Sequence, residues 1–352
     1  LNIDLVRNLV FPTPPLSEQK RIVAKLDELM ILCDELEAQK QKTHQTCIQL
    51  NEASIDKLLT APTTKKFKRH WKRIYDNFDL LYSKPENVIK LRQAVFQLAV
   101  KGKLVSQSPK DEPASVLLEK IEVKRSLLIK NKVIRKNAAL EATEPGEIPF
   151  KLPSNWEWSR LGSVIKSYQN GCSTRTSDQG IKTIVIRLAD IKSDKIVLSD
   201  SRKILLSRNQ REKYALQEGD ILITRVNGSV DLVGSFTYVG AFSDVCYCDH
   251  FIRMRSFAEH VHPHYLTLVG KSELVRDRIK ALFITTAGQK TVNQRHISSI
   301  PIPIPPLNEQ IRIVQKVNEL VGLCDILEER LDKSQKNSVR LMEAIATDMI
   351  MV

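Results

Sequence analysis

The sequence has no run of about 18 apolar residues, so nothing in it reads as a membrane span. It has six cysteines but no disulfide framework in their spacing, which points to a reducing, cytoplasmic setting. No Walker A loop is present, no glycine-rich nucleotide fingerprint after a strand, no Asn/Asp-Pro-Pro-Tyr/Phe methyltransferase signature and no nuclease-like carboxylate cluster. Those absences argue against nucleotide hydrolysis, methyl transfer and strand cleavage by this chain. Two stretches invite a metal reading, Cys246-Tyr247-Cys248-Asp249-His250 and His260, His262, His264. Neither has structural-zinc spacing with a second ligand pair, so no metal is expected; alternation at period two in the first suggests a strand with its thiols on one side.

What is present is organised around a stretch that occurs twice. PPLSEQKRIVAKLDELMILCDELE, Pro14 to Glu37, recurs as PPLNEQIRIVQKVNELVGLCDILE, Pro305 to Glu328, 291 residues on and without a gap. A self-match at that distance is a duplicated module rather than a solenoid repeat. In each copy a double proline stops what precedes it, and Ser17 or Asn308 is a good N-cap. Glu18 or Glu309 then falls in the first turn, where the helix dipole favours negative charge. Ile22, Leu26, Leu29, Cys33 and Leu36 step by four and three, as do Ile313, Val317, Leu320, Cys324 and Leu327. That is the seam of a helix packed along another helix, so the two copies are expected to pair with each other, antiparallel.

Charge is segregated. The total is +13, yet residues 1–60 and 307–352 each carry −2, while 61–140 carry +12 and 150–306 carry +8. A phosphate backbone would therefore meet the middle of the chain and not the repeated helices.

In chain order, the first helix should run from 17 to about 60, losing its seam over Lys40–Thr46 and resuming it at Cys47, Leu50 and Ile55. Residues 61–149 read as a basic helical linker region. It opens with APTTKKFKRHWKR, either a solvated hinge or a phosphate-tracking arm. Helices are expected over 86–105 and 114–136, and the acidic, proline-containing Glu141–Pro149 marks a domain boundary. From Phe150 the pattern changes to short β-type runs, with helical pieces at Arg208–Tyr214 and Pro263–Leu282, making an α+β domain over 150–304. Pro301, Pro303, Pro305 and Pro306 end it and launch the second helix, 305–352.

The segments P-x-P-P-L-x-E-Q-x-R-I-V, Ile89–Ile121 and Leu152–Val164 (LPSNWEWSRLGSV) together resemble, in their order, the conserved regions of type I restriction–modification DNA specificity subunits. The resemblance covers most of the chain. It implies an α+β protein with a globular α/β target recognition domain flanked by two long α-helices forming an antiparallel coiled coil. It also implies a non-enzymatic, sequence-specific DNA-binding subunit that reads one half of a bipartite site and docks modification and restriction subunits. S-adenosylmethionine would be held by the modification subunit and no cofactor by this chain. Residues 1–13 would be the tail of a first recognition domain. The chain is then the C-terminal portion of a longer protein, or works with a second copy of itself.

Candidate DNA-contacting residues follow from side-chain type and placement on turns. Arg225, Asn227, Gly228 and Ser229 follow a predicted strand, and Arg and Asn are the side chains that read guanine and adenine bidentately. Arg175 and Lys182 lie near loop ends. Gln289, Lys290 and Asn293 belong to a small, polar stretch that resembles a recurrent family segment. The reading from a different class is a coiled-coil interaction protein, or a remnant of such a subunit, that keeps the fold without reading DNA.

Overall fold

The computed structural model describes residues 7–8, 10–135, 140–141, 143–173, 180–286 and 288–350. The chain is α+β and divides into two compact units, Leu1–Asn87 and Val88–Val352. Most of the proposed 1–13 tail and Arg175 lie outside the described residues.

The first unit is helical. α1 (Leu16–Leu59) is one unbroken helix of 44 residues, about 66 Å long at 1.5 Å per residue. It starts at Leu16 rather than after Ser17: Pro15 occupies the N-cap, and its carbonyl accepts from Glu18 and Gln19 N–H groups at 2.8 and 3.0 Å. The Gln19 side chain also donates to the Pro14 carbonyl at 2.7 Å. The seam lost over Lys40–Thr46 does not interrupt the helix. It separates an exposed half from a half whose Cys47, Asn51, Ile55 and Leu58 are buried, Asn51 taking the place expected for Leu50. These residues are covered by α2 (Thr64–Asp76), α3 (Phe78–Leu81) and the turn after it. Asn51 and Asn87 both donate to the Leu81 carbonyl, at 3.4 and 2.6 Å. The stretch read as a basic linker is thus itself a helix, capped by Thr63, whose hydroxyl accepts from Lys66 N–H at 3.2 Å.

The second unit is built from α4 (Pro85–Val100, which begins just before the division), α5 (Ala114–Lys130), a mixed body of strands and short helices, and a terminal helix. α4 ends where Gly102 takes φ +66°, and a Cβ there would also lie 2.6 Å from Pro153. The strands are β1 (Glu157–Arg160), β2 (Ile165–Asn170), β3 (Ile181–Ile186), β4 (Ile191–Lys192), β5 (Lys195–Ile196) and β6 (Lys203–Leu206). After α6 (Arg208–Tyr214) come β7 (Ile221–Thr224), β8 (Val226–Asn227), β9 (Phe236–Tyr238), β10 (Val245–Tyr247) and β11 (Phe251–Ser256). Then follow α7 (Pro263–Lys271), α8 (Glu273–Leu282), β12 (Ile284–Thr286), β13 (Gln289–Thr291), α9 (Gln294–Ser298), β14 (Pro301–Ile304) and α10 (Leu307–Ile350).

Three sheets carry the body: antiparallel β2-β11-β7-β9, mixed β10-β3-β6 with β10 parallel to β3, and a ribbon β12-β13-β8. The Pro301–Ile304 segment is no mere exit. It pairs antiparallel with β1, from Glu157↔Ile304 to Arg160↔Pro301, and its prolines are tolerated because β14 has a single neighbour. The helix expected over 263–282 breaks at the fully buried Ser272, whose extended backbone (ψ 150°) separates α7 from α8. β10 is buried on both faces, so alternation did not sort its side chains into inner and outer sets.

The larger core joins Val95, Phe96, Ala99, Leu117 and Ile121 of α4 and α5 to Trp156, Leu161, Ile223, Met254, Tyr265 and Val269, and to Ile313 and Val317 of α10. α4 and α5 are therefore packed into the same core as the strands, and the two units divide near residue 87. The acidic segment is itself strapped down, with Glu147 accepting from Arg160 at 2.8 and 2.5 Å. That contact holds the Glu147 carboxyl below its usual range. A second core packs Val185, Ile186, Leu206, Leu222, Val245, Tyr247 and Phe251 between the mixed sheet and the back of β7 and β11.

α10 starts at Leu307, not after Asn308, and its first turn is locked in place. Gln310 donates to the Pro305 carbonyl at 2.9 Å and accepts from His262 N–H at 2.8 Å. Glu309 is fully buried and accepts from Gln107 at 2.8 Å; desolvation raises its pKa. Arg312 reaches Asp111 at 2.6 Å, and Arg92 reaches Asp325 and Glu328 at 2.8 and 2.9 Å. Ile313, Val317 and Cys324 are buried within this unit and Leu320 packs against its core. Ile22, Leu26, Leu29, Cys33 and Leu36 of α1 are exposed.

Candidate nucleic-acid interface

Three segments far apart in sequence meet at one end of the four-stranded sheet. β2 ends at Asn170 and runs into Gly171, where a Cβ would sit 2.0 Å from the Cys248 carbonyl oxygen, so only glycine lets the two backbones lie this close. Arg225 follows β7 and is tethered through its own backbone on two sides. Its N–H donates to the His250 carbonyl at 2.7 Å, and its carbonyl accepts from Val292 N–H at 3.0 Å. Its guanidinium donates once, to the Asp249 carbonyl at 3.3 Å, leaving most of its five donors uncommitted. α9 starts beside it, with Asn293 as N-cap accepting from His296 N–H at 2.8 Å.

Asn170, Arg225, Asn293, Gln294 and Arg295 line an open cleft of about 300 Å³. Two guanidinium groups and three amides make it a cationic, donor-rich surface with no carboxylate in its lining. Gln294 donates to the Asn170 side-chain oxygen at 3.0 Å. That leaves the Asn170 amide nitrogen as donor and the Gln294 oxygen as acceptor, side by side on one rim. A donor beside an acceptor is what the major-groove edge of adenine matches, and the guanidinium groups match guanine or phosphate. His296, beneath the rim, titrates below its ordinary value through desolvation and the neighbouring Arg295.

Beside the cleft, β8 pairs with β13, Asn227 opposite Lys290, and the Lys290 ammonium donates to the Gly228 carbonyl at 2.7 Å. The Asn227 oxygen accepts from Ser229 N–H at 2.9 Å, an Asx-type turn that fixes the tip. Arg276 braces the segment behind that tip with donations to the Val230, Asp231 and Val233 carbonyls at 3.0–3.1 Å.

Of the residues expected from sequence, Arg225 and Asn293 share the cleft, while Asn227, Gly228, Ser229, Gln289 and Lys290 form the adjoining ribbon. Lys182 is exposed on β3, in a different sheet. The side-chain oxygens of Asn227 and Asn293 each accept a backbone N–H, from Ser229 at 2.9 Å and from His296 at 2.8 Å. Asn170, Gln294 and Arg295 were missed. The only local signal was Asn170-Gly171, which read as an ordinary turn.

Cys248, Asp249 and His250 bring a thiol, a carboxylate and an imidazole within 4.8 Å of one another, the one such group of three among the described residues. Sulfur and Nδ1 are 3.7 Å apart, and Nδ1 is 3.3 Å from the carboxylate. Burial pushes the Cys248 thiol up to about 11, which works against the thiolate a metal would need. Among the described residues no helix is long and apolar enough to cross a membrane.

Residues 153–334, about half of the chain, match the family described as Type I restriction modification DNA specificity domain. Two Escherichia coli proteins match nearly the whole chain. The type I restriction enzyme EcoEI specificity subunit is 31% identical over 96% of this chain and 58% of its own length. The EcoAI specificity subunit is 29% identical over 96% and 57%. This chain thus spans a little over half the length of these relatives. The crystal structure of the HsdS subunit from Thermoanaerobacter tengcongensis superposes with a TM-score of 0.39 at 18% identity, covering 78% of this chain and 56% of that one. On the family match and the 31% relative, the chain belongs to the type I restriction–modification DNA specificity family.

Proposed function

We propose that this chain is a DNA-reading specificity subunit whose residues 150–304 recognise one half of a bipartite duplex site. The observation that carries this reading is the cleft beneath Asn170, Arg225 and Gln294. It collects two guanidinium groups and a donor–acceptor amide pair on backbone that is tied down on every side. Preorganised donors of that kind suit base-edge readout, while Lys290 beside the cleft and Lys182 on another sheet suit phosphates. The chain supplies no chemistry of its own. It docks modification subunits, which hold S-adenosylmethionine and methylate adenine, together with restriction subunits, in the cytoplasm. The two long helices serve as the spacer that sets the distance to the second half-site, which a second recognition domain reads.

The test is purification with the cognate modification subunit followed by mapping of methylated adenines on genomic DNA. Methylation at one discrete split motif is the expected result, and a complex that forms without methylating any motif would overturn the reading in favour of an interaction remnant. Arg225→Ala and Asn170→Ala should each cost about 1–3 kcal/mol of discrimination at one base pair and relax the motif there.

A further inference from the structure

The most strongly charged element of the molecule lies outside the recognition domain and has no role in the reading above. α2 carries Lys65, Lys66, Lys68, Arg69, Lys72 and Arg73 in 13 residues, with Asp76 as its one acid. All six cations are exposed, and none forms an ion pair among the described residues. At about 100° per residue, Phe67, His70 and Ile74 fall together on the side turned into the first unit. Lys65, Lys68, Arg69 and Lys72 fall within an arc of about 100° on the opposite side. Trp71 and Tyr75, 45% and 74% exposed, flank that arc. Six like charges on so short a helix repel one another, and a chain gains nothing for its own fold by leaving them unpaired.

We infer that the outer face of α2 is a second, sequence-independent contact with duplex DNA, gripping the phosphate backbone outside the bases that the recognition domain reads. The inference rests on the DNA role proposed above but uses a separate surface. Charge complementarity identifies the occupant: a helix of about 20 Å presents its four outer cations in a row, as a polyanion with closely spaced charges requires. A lipid surface fits less well, because Phe67 and Ile74 pack within the unit and only Trp71 and Tyr75 are left to insert, too few for an apolar face. His70 offers an internal reporter. It titrates below its ordinary value because of desolvation and of repulsion from Arg69, Arg73, Lys57 and Lys66. A bound polyanion would cancel that repulsion and raise it.

The experiment compares the full chain with a Lys65→Gln, Lys68→Gln, Arg69→Gln, Lys72→Gln variant on random-sequence duplex DNA over about 50–200 mM salt. Each lost phosphate contact lowers the salt slope by about 0.9, so the slope should fall by up to about 3.6 and affinity by more than tenfold. The preference for the cognate motif over random duplex should stay within about twofold. Arg225→Ala does the converse, lowering preference while moving the slope by about 1 or less. A variant slope equal to the wild-type slope, with helicity retained, overturns the proposal. So does loss confined to vesicles of anionic lipid, or the absence of any duplex binding by the wild-type chain. A wild-type chain that prefers no motif, with a slope that still falls in the quadruple variant, would instead sink the recognition reading and leave this one standing.

Discussion

The two copies of the repeated block share sequence and differ in surroundings. Ile313 is fully buried and its counterpart Ile22 is 45% exposed; Glu309 is fully buried and Glu18 is exposed; Cys324 is buried and Cys33 exposed. What stays the same is local: in both copies the glutamine donates to the carbonyl of the first proline, at 2.7 and 2.9 Å. The repeat therefore encodes its helix start independently of context, while burial of the face that follows depends on a recognition body beside it. In copy two that body is α4, α7 and the 101–113 loop. The heptad-like step in sequence thus mixes two duties, since its first turns bury against the recognition body before any helix partner is needed.

The largest way to break this comparison is a charge in the shared face. Ile313→Asp should cost about 4 kcal/mol or more by burying an unpaired carboxylate, whereas Ile22→Asp should stay within about 0.5 kcal/mol in the isolated chain. Denaturant midpoints measure both, and equal losses would mean that the first copy is covered in solution. A smaller effect is expected at the buried glutamate. Because burial raises its pKa, the folded state holds the Glu309 proton more tightly than the unfolded state does. Wild-type stability should therefore fall as pH rises from the ordinary carboxylate range through the raised folded value. Glu309→Gln removes that fall, giving a higher melting temperature than wild type at pH 8 and a narrowing gap toward pH 4. The gentlest test is alkylation followed by mass spectrometry. Cys33 should react about tenfold or more faster than Cys324, whose thiol is buried and raised in pKa.

The duplicated helices, the α+β texture of 150–304 and Arg225 were legible because each is local: a self-match, a period, a turn after a strand. The cleft was not. Asn170 and Gln294 are 124 residues apart, and nothing near either announces that β2 and α9 bring their amides together. The prolines of 301–303 read as punctuation because a strand with one neighbour accepts residues that an interior strand cannot. The helix of 64–76 read as a linker because its composition is that of a solvated segment, although its apolar residues sit at helical spacing.

The joint at Pro305-Pro306 has a mechanical consequence. β14 is hydrogen-bonded to β1 up to Ile304, two prolines follow, and α10 begins at once with Gln310 tied to both Pro305 and His262. Nothing in that joint is free to swivel, and buried Ile313, Val317 and Cys324 with the Arg92 ion pairs hold α10 to the body as far as Glu328, so residues 329–350 project from it as a stiff lever of about 33 Å. A bend of about 5° where it leaves the body would swing the far tip by about 3 Å over that length. Whatever is fastened to the tip is therefore positioned by the two Gln310 hydrogen bonds at the root and the Arg92 ion pairs farther along, and a change there would be felt as altered reach rather than as altered affinity at the cleft.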